Sequence, residues 1–309
     1  MLSISVIIPS YNGVHKLPKV LESLEKQTLN NFEVIVVVDG STDNTVEMLE
    51  QQSFKLDLKV IVQDNGGRAK ARNAGAKAAT GSLLLFFDDD MRLEKGVLEA
   101  HINHHVTIQK CILVGGTPLD MNIVRLNDLL QYKSLLEKKW VKLLQENVAG
   151  KPLSKDQIFL TAAHFSISKE VFWEINGFDE QLTDAEDYDL GVRAFKIGIP
   201  IYVNSTIIAW HDDFITCRSY IKRLRQYRKA HLKLKALKPT LYRDEFTHYD
   251  YNKAEGIKQL VYRFFAHPFW VNTIDHFNWL LVFPKSIRYK LYDVITTALS
   301  VHFPKVKLK

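Results

Sequence analysis

Four short apolar runs punctuate the first ninety residues, at 5–8, 32–38, 58–63 and 83–87, with a helix-forming segment between each and the next. Leu17, Val20, Leu21 and Leu24 give 17–27 helical spacing; a short helix is expected at 45–52 and an alanine-rich one at 69–79. Strand and helix alternating at this interval constrain the chain to βαβ units, hence to a parallel sheet covered by helices on both faces. The fourth run, Leu83 to Phe87, is wholly apolar and ends in Asp88-Asp89-Asp90. Such a run reads as a strand buried on both faces. Acidic side chains at its carboxyl end fall in the crevice where open α/β sheets bind ligands. Three adjacent carboxylates repel one another unless a cation or a donor network compensates them. Hard oxygen ligands on a loop suit Mg²⁺ or Mn²⁺, which in turn suit a diphosphate. A solvated acidic turn is the competing reading.

The other strand ends change that balance. Pro9-Ser10-Tyr11-Asn12 follows the first run, and Asp39-Gly40-Ser41-Thr42-Asp43 follows the second. Three such ends on one sheet edge make a pocket. Gly66-Gly67-Arg68 offers a turn at the start of the alanine-rich helix, where amide donors and Arg68 or Arg72 would meet phosphate. Further on, helices are expected at 93–105, 127–145, 169–175 and 190–197, and strands at 111–114, 159–168 and 201–210, with a polar loop at 150–157. A boundary falls near 215, after which the chain turns basic, then aromatic, and helical.

Cys111 and Cys217 are the two cysteines, too few for a disulfide framework or a zinc site. The first residues lead directly into Ile4-Ser5-Val6-Ile7-Ile8 without a basic n-region, so no signal peptide is expected and a reducing cytoplasm fits. No apolar run approaches the roughly 18–20 residues of a membrane span. The net charge of +6 is unevenly spread: 218–238 holds nine Lys/Arg and no acid, which leaves −3 for the remainder.

Taken in order, these motifs resemble family 2 glycosyltransferases with the GT-A fold. Ser5 to Asn12 and Val38 to Asp43 look like that family's opening, and Ala71-Arg72-Asn73-Ala74-Gly75 through Phe87-Asp88-Asp89-Asp90 is similar to its middle block. The family's metal-binding Asp-x-Asp aligns as Asp88-x-Asp90, with Asp89 able to replace either neighbour. Gly177-Phe178-Asp179-Glu180 and Glu186-Asp187-Tyr188-Asp189 resemble the acceptor-side block. The resemblance covers roughly 3–212 and implies a mostly parallel Rossmann-like sheet, with 1–91 as the donor half, 92–215 as the acceptor half, and 216–309 as a helical extension.

It also implies roles. Pro9, Tyr11 and Asp39 would contact nucleobase and ribose, Arg72 and Asp89 the donor, and Asp88 the ribose or a metal-bound water. Asp90 would ligate Mn²⁺ or Mg²⁺ directly. Gly177, Phe178, Asp179 and Glu186 would lie on the acceptor side, and Asp187 would be the general base. An unperturbed Asp pKa of ~3.9 makes a weak base, so burial beside Glu186 should raise it. Each role has a plain alternative: Tyr11 a packed ring, Asp39 an N-cap, Asp187 a structural ion pair with Glu186 as its rival base. In relatives a histidine completes the metal site, which here would be His211; a satisfied core histidine is the other reading. His101, His104 and His105 share one helical face and read as solvated. Trp140, Trp173 and Trp210 read as core or as acceptor-site walls.

The reaction implied is the inverting transfer of one sugar from a nucleotide diphosphate donor, a UDP-sugar by default, to a hydroxyl of a glycan or lipid-linked saccharide. The Gln-x-x-Arg-Trp motif of processive members is unmatched by Gln226-Tyr227-Arg228, which favours single addition. A non-catalytic nucleotide- or sugar-binding protein would need no base. A nucleotidyltransferase would show a Gly-rich basic loop where Pro9 to Gly13 stands. In the tail, Ile221, Leu224, Tyr227, His231, Leu234 and Leu237 form a helical stripe among cations. That helix either packs with its charges in water or makes a peripheral contact with an anionic membrane surface. Nucleic acid is disfavoured, because the aromatics sit on the stripe rather than among the charges.

Overall fold

The computed structural model describes residues 2–148, 150–242 and 254–308. In chain order the elements are β1 (Ile4–Ser10), α1 (Leu17–Glu25), β2 (Phe32–Asp39), α2 (Thr45–Gln51), β3 (Asp57–Gln63), α3 (Arg68–Ala78), β4 (Leu83–Phe87), β5 (Met91–Leu93), α4 (Val97–Thr107), β6 (Ile112–Gly116), α5 (Met121–Val124), α6 (Asp128–Val148), β7 (His164–Ser168), α7 (Lys169–Glu174), α8 (Glu186–Lys196), β8 (Ile201–His211), α9 (Cys217–Leu237), α10 (Pro239–Tyr242), α11 (Gly256–Phe265), α12 (Pro268–Asn272) and α13 (Lys285–Thr297). They fall into two compact units, Met1–Asp120 with Glu137–Asp213, and Met121–Leu136 with Phe214–Lys309.

The first unit carries an eight-stranded sheet ordered β3-β2-β1-β4-β7-β6-β8-β5. β1, β2, β3 and β4 run parallel, as the alternation of strands and helices requires. Central β1 and β4 are buried almost throughout, which explains why both read as apolar runs, whereas β3 at the edge is largely open. Past β4 the sheet becomes mixed: β7 is antiparallel to β4 and β6, and β5 to β8. This gives the α/β fold expected, with a mostly parallel half carrying the polar strand ends.

Two local departures have clear causes. The helix expected to begin at 190 begins at Glu186, directly after Ala185 in the left-handed region at φ 61°. Its first turn holds Glu186, Asp187 and Asp189, the charge that a helix N-terminus favours. The face of α4 read as solvated is instead largely interior, with His101 and His105 buried. His101 Nε2 lies 2.9 Å from His164 Nε2, and Ser166 Oγ lies 2.7 Å from His101 Nδ1 and 2.8 Å from His105 Nε2. Polar partners on β7, invisible in the helix's own pattern, make that burial possible.

The second unit is helical among its described residues, and its core gathers Tyr132, Ile221, Val271, Tyr292, Ile295 and Leu299. No helix among the described residues is long and apolar enough to cross a membrane. At its centre Arg288 grips buried Asp128 with both arms, Nε to Oδ2 at 2.5 Å and Nη2 to Oδ1 at 2.6 Å. Tyr292 donates its hydroxyl to the same carboxylate at 2.9 Å. Removing one member of a buried pair strands the other without solvent. Asp128→Ala is therefore expected to cost this unit about 3–5 kcal/mol, measured as a lower urea midpoint; a change below about 1 kcal/mol would mean the pair behaves as a surface bridge.

Candidate active site

The ends of β1, β2 and β4 open on a cleft of about 440 Å³ lined by Pro9, Tyr11, Asp39, Arg72 and all three aspartates of the triplet. Lys16, Asn65, Arg68 and Thr183 complete much of its wall. The loops after β1 and β2 are laced together. Asn12, at φ 53°, accepts from Thr42 N at 2.8 Å, and Gly13 N donates to Thr45 Oγ1 at 2.9 Å. Tyr11 is left about half exposed at the mouth. Buried Asp39 accepts from Gln63 Nε2 at 2.7 Å and from the amides of Gly66 and Gly67, each at 2.8 Å. Its carboxylate therefore shapes the turn into α3 as well as facing the cleft.

Each aspartate of the triplet has its own set of partners, with Lys16 shared by Asp89 and Asp90, which answers the repulsion problem. Asp88 Oδ1 accepts from Arg72 Nη2 at 2.6 Å. Asp89 accepts from Ser10 Oγ at 2.7 Å, with Lys16 Nζ at 3.3 Å. Asp90 has Lys16 Nζ at 3.7 Å and His211 Nε2 at 3.4 Å. Burial pushes the Asp89 carboxyl up despite Lys16 and Ser10. Burial acts the same way on Asp90, but His211 and Lys16 outweigh it and hold its pKa below the ordinary value. His211 is raised in return: Asp90 more than offsets the desolvation that would lower it.

The meeting of Asp90 and His211 is a matter of register. β5 starts one residue after the triplet and pairs antiparallel with β8, Met91 opposite His211. Asp212 N then donates to Asp90 O at 3.1 Å. Asp90 Oδ1 is buried and makes no hydrogen bond, although His211 stands nearby. A buried, unsatisfied carboxylate oxygen beside an imidazole is a donor set that a divalent cation fits. No cluster of three or more His, Cys, Asp or Glu suited to a metal occurs among the described residues. Two protein ligands suffice for an ion that takes its remaining ligands from phosphates and water.

Behind the cleft, fully buried Arg72 reaches in two directions, with Nη1 2.7 Å from Glu186 Oε1 and Nη2 on Asp88. Its guanidinium also lies over the Phe178 ring, 5.5 Å from the centroid. Arg68, more exposed, stands 3.9 Å from both Asp184 and Glu186. Asp187 lies next to Glu186 at the start of α8, receiving Tyr188 N at 2.8 Å and Ala162 N at 3.3 Å. Burial, then the charge of Glu186, push its carboxyl up to about 6, against Arg72 and those amides.

The acceptor-side block is packed tightly. Gly177 takes φ 58°, and a Cβ there would sit 2.9 Å from Asn73 Oδ1. Asn73 clasps Phe178 through both backbone groups, at 2.9 and 2.8 Å. Phe178 is buried against Phe86, Phe165 and Phe172, and Asp179 Oδ1 accepts from Gln181 N at 3.0 Å. Gly177, Phe178, Asp179, Glu186, Asp187 and His211 do not line the cleft itself. Nor do Trp140, which packs on Phe159 at 4.3 Å, Trp173 or Trp210. Lys16 escaped the sequence reading; its signal is a lone cation in the loop between the first strand and helix.

The sequence model described as glycosyl transferase family 2 matches residues 5–175, more than half of the chain. The chain belongs to family 2 of the glycosyltransferases. It is similar to an uncharacterized glycosyltransferase of Haemophilus influenzae, 32% identical over 204 residues that make up 62% of this chain and 62% of that protein. The chain thus spans less than two thirds of that relative's length. Among solved structures it is similar to Staphylococcus aureus TarS 1–349 in complex with UDP-GlcNAc. That match has a TM-score of 0.53 and 20% identity, and covers 96% of this chain and 90% of the other. It is also similar to the mannosyltransferase PcManGT from Pyrobaculum calidifontis in complex with GDP-Man and Mn²⁺. Here the TM-score is 0.59 and the identity 15%, over 96% and 85% of the two chains. At these identities the structures establish the fold, which is GT-A. Membership of that family speaks for glycosyl transfer and against the nucleotidyltransferase reading.

Arg72 joins α3, the end of β4 and the start of α8, so its loss should reach further than one contact. Arg72→Met is expected to lower stability by about 3–5 kcal/mol and to abolish turnover together. Arg72→Lys should recover only part, since one ammonium lacks the two-armed fork. Full thermal stability of Arg72→Met in a melting experiment would show that Asp88 and Glu186 need no buried cation.

Proposed function

We propose that this glycosyltransferase moves one sugar from a nucleotide diphosphate donor, a UDP-sugar by preference, to a hydroxyl of a glycan or lipid-linked saccharide, with inversion and with Mn²⁺ or Mg²⁺. The observation that carries the reading is the convergence of three strand ends on one cleft, whose acidic end holds Asp90 with His211 beside it outside the lining. The solved relatives hold UDP-GlcNAc in one case and GDP-Man with Mn²⁺ in the other, which supports a nucleotide-sugar donor of this kind.

In this reading Pro9, Tyr11 and Asp39 receive the nucleoside. Asp88 faces the ribose from its anchor on Arg72. Lys16 and Arg68, the more exposed cations of the cleft, lie toward the diphosphate; Arg72 acts by holding Asp88 and Glu186. Asp90 and His211 would hold the metal, with Asp89 kept in place by Ser10. When bound, that ion supplies charge stabilisation for the departing nucleoside diphosphate. Asp187 takes the proton of the acceptor hydroxyl as its oxygen forms a bond to the anomeric carbon. The bond from that carbon to the phosphate oxygen breaks, and a single displacement inverts the centre. Glu186 keeps the Asp187 pKa high through its charge, while Gly177, Phe178 and Asp179 fix the turn before α8 from the acceptor side.

A thermal-shift panel of UDP, GDP, dTDP and CMP, each with and without Mn²⁺, tests the donor. UDP is expected to raise the midpoint, more so with Mn²⁺, and Asp90→Ala or His211→Ala should remove the Mn²⁺-dependent part. A flat response to every nucleotide would sink the donor reading. Asp187→Asn should lower kcat by roughly 10²–10⁴-fold while the UDP shift persists; unchanged turnover would remove Asp187 as base. The base works deprotonated, so kcat/KM should climb as pH rises through about 6 and level off above it. A rate already flat from pH 5 upward would contradict the raised pKa.

A further inference from the structure

The second unit presents an apolar stripe to solvent where a soluble helix would bury one. α11 has residues of helical spacing, Ile257, Leu260, Val261 and Phe264, yet none of its ten residues is buried. Ile257 is 81% exposed, Leu260 65% and Phe264 64%. One flank of the helix supplies Tyr262 and Phe265 to the unit's core. At 100° per residue, Lys258 and Arg263 lie roughly 110° to either side of the stripe's centre.

The exposed surface continues beyond α11. Trp270 is the hub of an aromatic patch, its ring 5.4 Å from Phe264, 5.4 Å from Phe269 and 6.1 Å from Trp279. Phe269, Phe277 and Trp279 share a further concavity with Arg218. Phe277 is 87% exposed and Val282 77%. Contiguous apolar surface of this kind on a soluble unit marks an interaction site.

Charge decides what covers it. The two segments of this unit hold 21 Lys/Arg against seven Asp/Glu, a formal +14. A second copy laid on this face would set like charges against each other. An acidic polymer would answer the charge but offer no apolar phase for Ile257, Phe264, Phe277 and Val282. An anionic bilayer surface answers both, with apolar side chains entering the headgroup boundary and flanking Lys and Arg reaching lipid phosphates.

We propose that α11 and the aromatic patch around Trp270 form a docking face for an anionic lipid surface, with α11 lying in the plane of the interface. The stripe, its flanking cations and the excess charge of the unit then have one partner in common. This goes beyond the sugar-transfer reading and does not depend on it.

Flotation of the full chain with vesicles tests this, using either pure phosphatidylcholine or mixtures containing one third phosphatidylglycerol, at 0.1 and 0.5 M NaCl. At the lower salt the protein is expected to float with the anionic vesicles at least tenfold more than with the neutral ones, and 0.5 M salt should weaken this. Leu260→Ser with Phe264→Ser should reduce flotation at least tenfold, and Lys258→Glu with Arg263→Glu should do so independently, the melting temperature of each being unchanged. Equal flotation on both vesicles, none on either, or retention by both double variants would overturn the proposal. So would concentration-dependent dimerisation by light scattering that the serine variant abolishes, which would assign the face to a second copy.

Discussion

A single buried guanidinium sets the geometry of the first unit. Arg72 has nowhere to place its charge but between Asp88 and Glu186, and those two carboxylates belong to elements far apart in sequence. With the guanidinium over Phe178 and Asn73 clasping the same residue's backbone, α3 fixes both the end of β4 and the turn before α8. The cleft end of β4 and the start of α8 are thereby referenced to one helix. Two atoms of this arrangement lack hydrogen bonds, Arg72 Nε and Glu186 Oε2. Leaving polar atoms unsatisfied is costly, and the compensation here is the attraction of the guanidinium for two carboxylates; burial and the neighbouring Glu186 in turn raise the Asp187 carboxyl.

The acidic end of the cleft obeys a different constraint. Asp89 is buried and the side chain of Asp90 is 18% exposed, so two adjacent charged carboxylates there call for nearby positive charge. Lys16 and His211 approach Asp90 from distant parts of the first unit, one from the loop after β1 and one from the end of β8. Neither completes the shell of Asp90, whose Oδ1 is still without a hydrogen bond. The carboxylates are therefore only partly compensated, with one oxygen left without a hydrogen bond.

How much of this could be read from sequence follows from whether a residue's partners are local. β1, β2 and β4 are buried on both faces, so their composition alone announced them, and the polar residues closing each strand fell on one edge as parallel topology demands. Asp88, Asp89 and Asp90 were legible for that reason. β5 was not: three residues carry no periodicity, and the pairing with β8 that seats His211 beside Asp90 is set by tertiary register. Glu186 and Arg72 were each visible as charged residues in suggestive motifs, but their mutual contact spans 114 positions and no local pattern encodes it. The division at 213/214, with 121–136 assigned to the helical unit, likewise depends on long-range packing.

The histidines of α4 show why a helical face read alone misleads. His164 Nδ1 approaches the Gly116 carbonyl at 3.1 Å, and a carbonyl only accepts, so that nitrogen carries a proton. His164 Nε2 must then accept, which obliges His101 Nε2 to donate to it. His101 Nδ1 is left as acceptor for the Ser166 hydroxyl, and Ser166 Oγ in turn accepts from His105 Nε2. One carbonyl on β6 thus fixes the tautomer of three imidazoles and the direction of every hydrogen bond between them. Burial holds all three below the ordinary histidine pKa, and an added proton on His101 or His164 would set two donors against each other. These residues read as solvated only so long as β7 is not known to run beside them. Placed against it, they are a neutral, fully ordered polar seam through the sheet, and Gly115 is glycine because any Cβ there would strike the His164 ring.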